Sequence, residues 1–103
     1  MTIREFLKET YPCTWLLRPR PYVLCMDGFK VSVQGGTGYA SVPDTPSMVY
    51  QMLELGFPNE EEPELMPYAE DPEIPTGTVY TYVPIDVVEK VVSKHGGIRA
   101  LEG

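Results

Sequence analysis

A chain of 103 residues with 15 Asp and Glu against eight Lys and Arg, a formal net charge of −7, has the length of one domain with a modest core. Apolar residues at 43% and aromatics at 11% are more than a disordered chain carries. No apolar run approaches the roughly 20 residues that cross a bilayer, no basic start leads into a secretory signal, and the acidic balance disfavours non-specific binding to nucleic acid or anionic membranes.

In chain order, Thr2-Ile3-Arg4-Glu5 has the form of a capping box, and Ile3, Phe6 and Leu7 follow on one helical face. Tyr11-Pro12 is expected to end this helix, because a residue before proline is pushed out of helical geometry. Tyr22 to Met26, Asp27-Gly28 and Phe29 to Gln34 then read as a β-hairpin on a tight two-residue turn. In its second arm Phe29, Val31 and Val33 alternate with Lys30, Ser32 and Gln34, predicting one buried and one wet face. Beyond Gly35-Gly36-Thr37-Gly38 and an irregular stretch, Met48 to Leu55 fits a third strand. Val49, Leu53 and Leu55 lie on one of its faces, with Tyr50, Met52 and Glu54 on the other.

Gly56-Phe57-Pro58 stops that strand. Residues 59–77 form an acidic, proline-rich loop with one helical turn near Glu64 to Ala69. A fourth strand runs from Thr78 to Val83, with Tyr80 and Tyr82 sharing a face that is either packed under a helix or exposed as an aromatic strip. The last element is a helix from near Pro84, with an apolar stripe at Ile85, Val88 and Val92, early acids and late lysines matching the macrodipole, and Gly96-Gly97 as its stop. The fold class is therefore α+β: a single domain over 1–103 with an N-terminal helix, an antiparallel sheet of about four strands and a C-terminal helix. The chain shows no internal repeat.

Cys13 and Cys25 stand 12 positions apart without metal-ligand spacing, so two reduced thiols in a cytoplasmic protein are expected. Charge is unevenly placed. No Lys or Arg lies between Val31 and Glu89, while that stretch holds 11 acids, seven of them from Glu60 to Glu73. Such a run reads either as a solvated, self-repelling loop or as a surface for a basic partner. In the second case it would steer association and compete with phosphates for Lys and Arg, with Leu65, Met66 and Tyr68 as apolar anchors.

Few residues point to chemistry. His95 is the only histidine and falls at the end of the last helix, where a cap is the simpler role than a base. Gly35, Gly36 and Gly38 invite comparison with a phosphate-binding loop, but the Lys-Ser/Thr ending and the following helix are missing. Tyr39 would be available there to stack on a base, and Lys30 to meet a phosphate. Zinc lacks ligands, calcium lacks its loop, and no carboxylate pair is singled out. No metal or cofactor is expected, and no catalytic residue.

The segments Asp27-Gly28-Phe29 to Ser32-Val33-Gln34, Gly56-Phe57-Pro58, Tyr68-Ala69-Glu70-Asp71-Pro72 to Tyr82-Val83-Pro84, and Lys94-His95-Gly96-Gly97 together resemble a group of short proteins from phages, prophages and mobile elements of Gram-positive gut bacteria. Where those proteins tend to carry a His-Tyr-Cys core and a Pro-Arg, this chain keeps Tyr39 and Pro43 without the His, Cys or Arg. The resemblance implies a small protein acting inside a bacterial host. The expectation is a non-catalytic inhibitor of a host defence enzyme, of the anti-CRISPR type. It would bind a basic nucleic-acid-binding surface through Glu60, Glu61, Glu62, Glu64, Tyr68, Glu70 and Asp71, without touching nucleic acid or membrane itself. The alternative is a protein that sequesters a signalling nucleotide at Lys30, Gly35, Gly36, Gly38 and Tyr39, with a homo-oligomer as its natural setting.

Overall fold

A computed structural model describes residues 1–11 and 19–99. Its elements run α1 (Ile3–Glu9), β1 (Val23–Leu24), β2 (Lys30–Gln34), β3 (Met52–Gly56), a 3-10 turn (Met66–Tyr68), β4 (Val79–Pro84) and α2 (Ile85–Lys94). The four strands form one sheet in the order β1-β2-β3-β4, each pair antiparallel. This is the α+β architecture the sequence predicts. No described helix is long and apolar enough to cross a membrane.

The local signals act as their chemistry requires. The Thr2 hydroxyl accepts from the Glu5 amide while the Glu5 carboxylate accepts from the Thr2 amide, closing the capping box. Ile3, Phe6 and Leu7 are buried, and the helix closes at Thr10, two residues before Pro12, which lies outside the described residues. At the other end the Gly97 amide donates to the Val92 carbonyl and that of Gly96 to Ser93, so the glycine pair closes α2 as expected.

A single core sits between one face of the sheet and the two helices. Val31, Val33, Leu53, Leu55, Tyr80 and Val83 meet Ile3, Phe6, Leu7, Val88, Val91 and Val92, all of them buried. Past α2 the chain returns to the sheet edge: Ile98 bridges Cys25, and the Arg99 amide donates to Leu24. Cys25 is a buried free thiol, pushed up to about 11 by burial and then by the nearby Asp27 charge, so it stays protonated and unreactive. Cys13 lies outside the described residues.

Four expectations are corrected. The hairpin turn has three residues, Met26–Gly28: the Cys25 amide donates to Phe29 and the Gly28 amide to Cys25, and only Gly28, at φ +96°, takes the left-handed conformation. Gln34 is buried, because its amide side chain takes up both the amide and the carbonyl of Arg20. The third strand begins at Met52, after a turn in which Tyr50 packs inward and Val49 stands 61% exposed. Finally, Tyr80 and Tyr82 do not share a face. Leu53 pairs with Val83 and Leu55 with Tyr80, leaving Thr81 and Tyr82 together opposite Glu54. This bulge, with Tyr82 at φ 50°, shifts the alternation by one residue, so Tyr80 is fully buried and Tyr82 half exposed.

Candidate partner-binding surface

The acidic stretch is anchored along its length. Leu65 is fully buried, and Met66, Tyr68 and Ala69 pack against the core. Ala69 bridges Tyr80, the Glu70 amide donates to Val79, and the Asp71 amide donates to the Thr78 hydroxyl. The Tyr80 hydroxyl reaches out from the core to donate to the Pro75 carbonyl. The self-repelling loop is thus an ordered strap along β4.

Its carboxylates divide into two sets. Glu62, expected on the binding surface, is 2% exposed. Its Oε1 meets His95 Nε2 at 2.8 Å and Lys94 Nζ at 2.9 Å, and its Oε2 accepts from the Glu64 amide. Burial pushes the Glu62 carboxyl up, but Lys94, the Glu64 amide and His95 outweigh it and hold the group below its usual range. Glu64 is half-buried and pairs with Lys90 at 3.3 Å. Neither is free to meet a partner; both fasten the strap to α2. The second set, Glu60, Glu61, Glu70, Asp71 and Glu73, is exposed. Among the described residues none of these five has a basic group within ion-pair distance.

His95 is more than a helix cap. Its Nδ1 meets Asp27 Oδ2 at 2.6 Å, its Nε2 meets Glu62, and its ring stacks on Phe29 at 4.2 Å between centroids. Burial would lower the imidazole, but the hydrogen bonds to Glu62 and Asp27 and their charges raise it above its ordinary value. Asp27 is lowered by the Phe29 amide and by His95. An imidazolium between two carboxylates therefore joins the hairpin turn, the strap and the end of α2. Both ring nitrogens are thus engaged by carboxylates rather than presented to a substrate. The sequence carries no sign of this network, whose partners lie 33 and 68 residues apart. Among the described residues no group of acids, cysteines and histidine is placed to hold a metal ion.

The glycine loop is also built inward. Gly35 lies flat on the Tyr50 ring, where an added Cβ would stand 2.6 Å from a ring carbon. The Gly36 amide donates to the Ser41 hydroxyl, and the Gly35 carbonyl accepts from Arg20. Only Gly38 is exposed. Lys30 Nζ lies 4.7 Å over the Tyr22 ring. Of the expected nucleotide residues, Tyr39 lines a hollow, about 290 Å³ in volume, on the sheet face away from the helices.

Comparison with protein-family models, with curated proteins and with solved structures returns no match to this chain.

Proposed function

We propose that the protein is a non-catalytic binding protein whose acidic strap engages a basic surface of a partner protein. The surface it fits is one that binds nucleic acid, so the strap acts as a competitor for the Lys and Arg side chains there. An inhibitor of a host defence enzyme, of the anti-CRISPR type, works in this mode. The observation that carries the reading is the combination of order and unpaired charge. Five exposed carboxylates stand on a segment that hydrogen bonds and a buried anchor hold in place, so little ordering entropy is lost when a partner docks. The engagement of both nitrogens of His95 supports a non-catalytic role. A nucleotide-sequestering role has less support, since Gly35 and Gly36 spend their space and polar groups on Tyr50, Ser41 and Arg20.

The test is recovery of the tagged protein from a bacterial lysate, with native mass spectrometry of the complex. A stoichiometric partner displaced by added DNA or RNA is expected. The variant Glu60→Lys, Glu61→Lys, Glu70→Lys, Asp71→Lys should lose that partner while melting within a few degrees of the parent, because Glu62 and Glu64 are untouched. A partner held equally well by this variant would overturn the reading.

A further inference from the structure

His95 makes more bonds than a neutral imidazole can. Its Nδ1 meets Asp27 Oδ2 at 2.6 Å and its Nε2 meets Glu62 Oε1 at 2.8 Å. A carboxylate only accepts, and a neutral ring carries one N–H and one lone pair, so the two contacts together require the imidazolium. When a proton leaves, one carboxylate faces a lone pair at contact distance and must turn away. Which one turns depends on what else holds it.

The strap places Glu62 against the ring, the hairpin turn Asp27, and α2 Lys94, while the Phe29 ring stacked on it is uncharged. Farther out, Glu60 and Glu64 act on Lys94, and the Cys25 thiol feels both Asp27 and the Met1 amine. The Glu62 side chain is 2% exposed, with Lys94 Nζ at 2.9 and 3.1 Å from its two oxygens and the Glu64 amide on Oε2. The Asp27 side chain is 49% exposed, and its Oδ1 accepts from the Phe29 amide. A buried acceptor that loses its donor bears the full cost of desolvation, whereas an exposed one is met by water. The proton is therefore kept at Nε2 and lost from Nδ1. Lys94, raised by its bond to Glu62, and Cys25, pushed up to about 11, keep their protons through mildly alkaline pH. Among Asp27, Glu62, Lys94, Cys25 and His95, the histidine alone titrates there.

We propose that His95 is a one-sided proton switch: release of the Nδ1 proton to solvent frees Asp27 and the Met26–Gly28 turn, while Nε2–H and Lys94 keep the strap fastened through Glu62. The turn is attached to the end of α2 by two backbone bonds besides this side chain, from the Met26 amide to Gly97 and from the Asp27 amide to His95. Swinging the Asp27 carboxylate away also withdraws the acceptor of the Phe29 amide. The pH-responsive surface is thus the turn, with Met26 58% exposed on it, and the strap displays its carboxylates in either state. The switch belongs to this chain alone and operates whether or not a partner binds the strap.

The test is long-range ¹H–¹⁵N NMR of the ring of His95, the only histidine, together with amide spectra, across about pH 5 to 9.5, a range that brackets the ordinary imidazole value. Both ring nitrogens should be protonated at the acid end and Nε2 alone at the alkaline end. Amide shifts at Asp27, Gly28 and Phe29 should follow the ring, with smaller ones at Leu65 and Met66. Asp27→Asn keeps an acceptor for Phe29 and supplies an N–H for the Nδ1 lone pair, so it should lower the His95 midpoint by about one pH unit or more and quiet the shifts at the turn. Lys94→Gln removes the cation that holds Glu62 once the ring is neutral, and should make Leu65 and Met66 titrate with His95. A proton retained at Nδ1, a ring doubly protonated throughout, strap amides moving as far as those of the turn in the parent, or an unchanged midpoint in Asp27→Asn would overturn the proposal.

Discussion

The two long irregular stretches, 35–47 and 59–77, are both broken by proline, but the first holds one acid and the second seven, and they use the same device to different ends. Each is pinned by a buried tyrosine. The Tyr50 hydroxyl accepts from the Ser47 amide and donates to the Thr45 carbonyl while its ring lies under Gly35. The Tyr80 hydroxyl donates to Pro75. The first stretch turns Ser41 inward, where its hydroxyl accepts from the Gly36 amide and donates to the Pro43 carbonyl, and closes on Tyr50. The second keeps two carboxylates, Glu62 and Glu64, for anchoring and turns five others to solvent. A buried ionic anchor lets the second stretch display charge without coming loose.

That contrast breaks most readily at Glu62. Glu62→Ala leaves His95 and Lys94 without their shared acceptor, and removing one member of a buried ionic group costs about 3 kcal/mol. A fall in thermal midpoint of 10 °C or more, with faster amide exchange from residue 60 to 71, is the expected result. The same substitution at Glu60 or Glu61, exposed two positions and one position away, should stay within about 0.5 kcal/mol. Equal behaviour at the three positions would mean that Glu62 anchors nothing.

The corresponding break in the first stretch is smaller. Gly35→Ala places a methyl 2.6 Å from the Tyr50 ring, and the ring, 2% exposed and bonded through its hydroxyl, has little room to withdraw. Overpacking of this kind costs about 1–3 kcal/mol. Chemical denaturation should show the loss, and the double variant Gly35→Ala, Tyr50→Phe should recover part of it if the hydroxyl bonds are what hold the ring in place.

What the sequence makes legible follows the range of each interaction. The capping box, the buried Val31 and Val33 of β2 and the buried Val88 and Val92 of α2 are written within a few residues of one another, and they are found where expected. The start of β3 is not, because Tyr50 turns inward to meet a glycine 15 positions earlier. The phase of β4 is not, because the bulge at Thr81 and Tyr82 arises from pairing with β3 and leaves no mark on the Val-Tyr alternation. Least legible is the split of the acidic run. Nothing between Glu60 and Glu64 distinguishes Glu62 from its neighbours, and its burial is decided by Lys94 and His95, 32 and 33 residues on.

The anchor also gives the smallest predicted effect, a pH dependence whose sign is fixed. His95 is raised in the folded protein, so above the unfolded value of about 6.5 the unfolded chain binds fewer protons and stability falls with pH. Its contribution is complete below that value and disappears as pH rises through the folded one. Glu62 and Asp27 are lowered, so their contribution is present above the unfolded carboxylate values of about 4 and disappears as pH falls. The anchor is therefore strongest between about pH 4.5 and 6.5, and the strap is held most firmly there. Cys25, raised to about 11, adds an alkaline loss of its own, but only above the unfolded thiol value of about 8.5. Between pH 6.5 and 8 the decline belongs to His95. Thermal melts across that interval should slope downward for the parent and lie nearly flat for His95→Gln, whose side chain keeps hydrogen-bonding groups without titrating. Parallel slopes for the two proteins would take the imidazolium out of the anchor and leave Lys94 as the partner that holds Glu62.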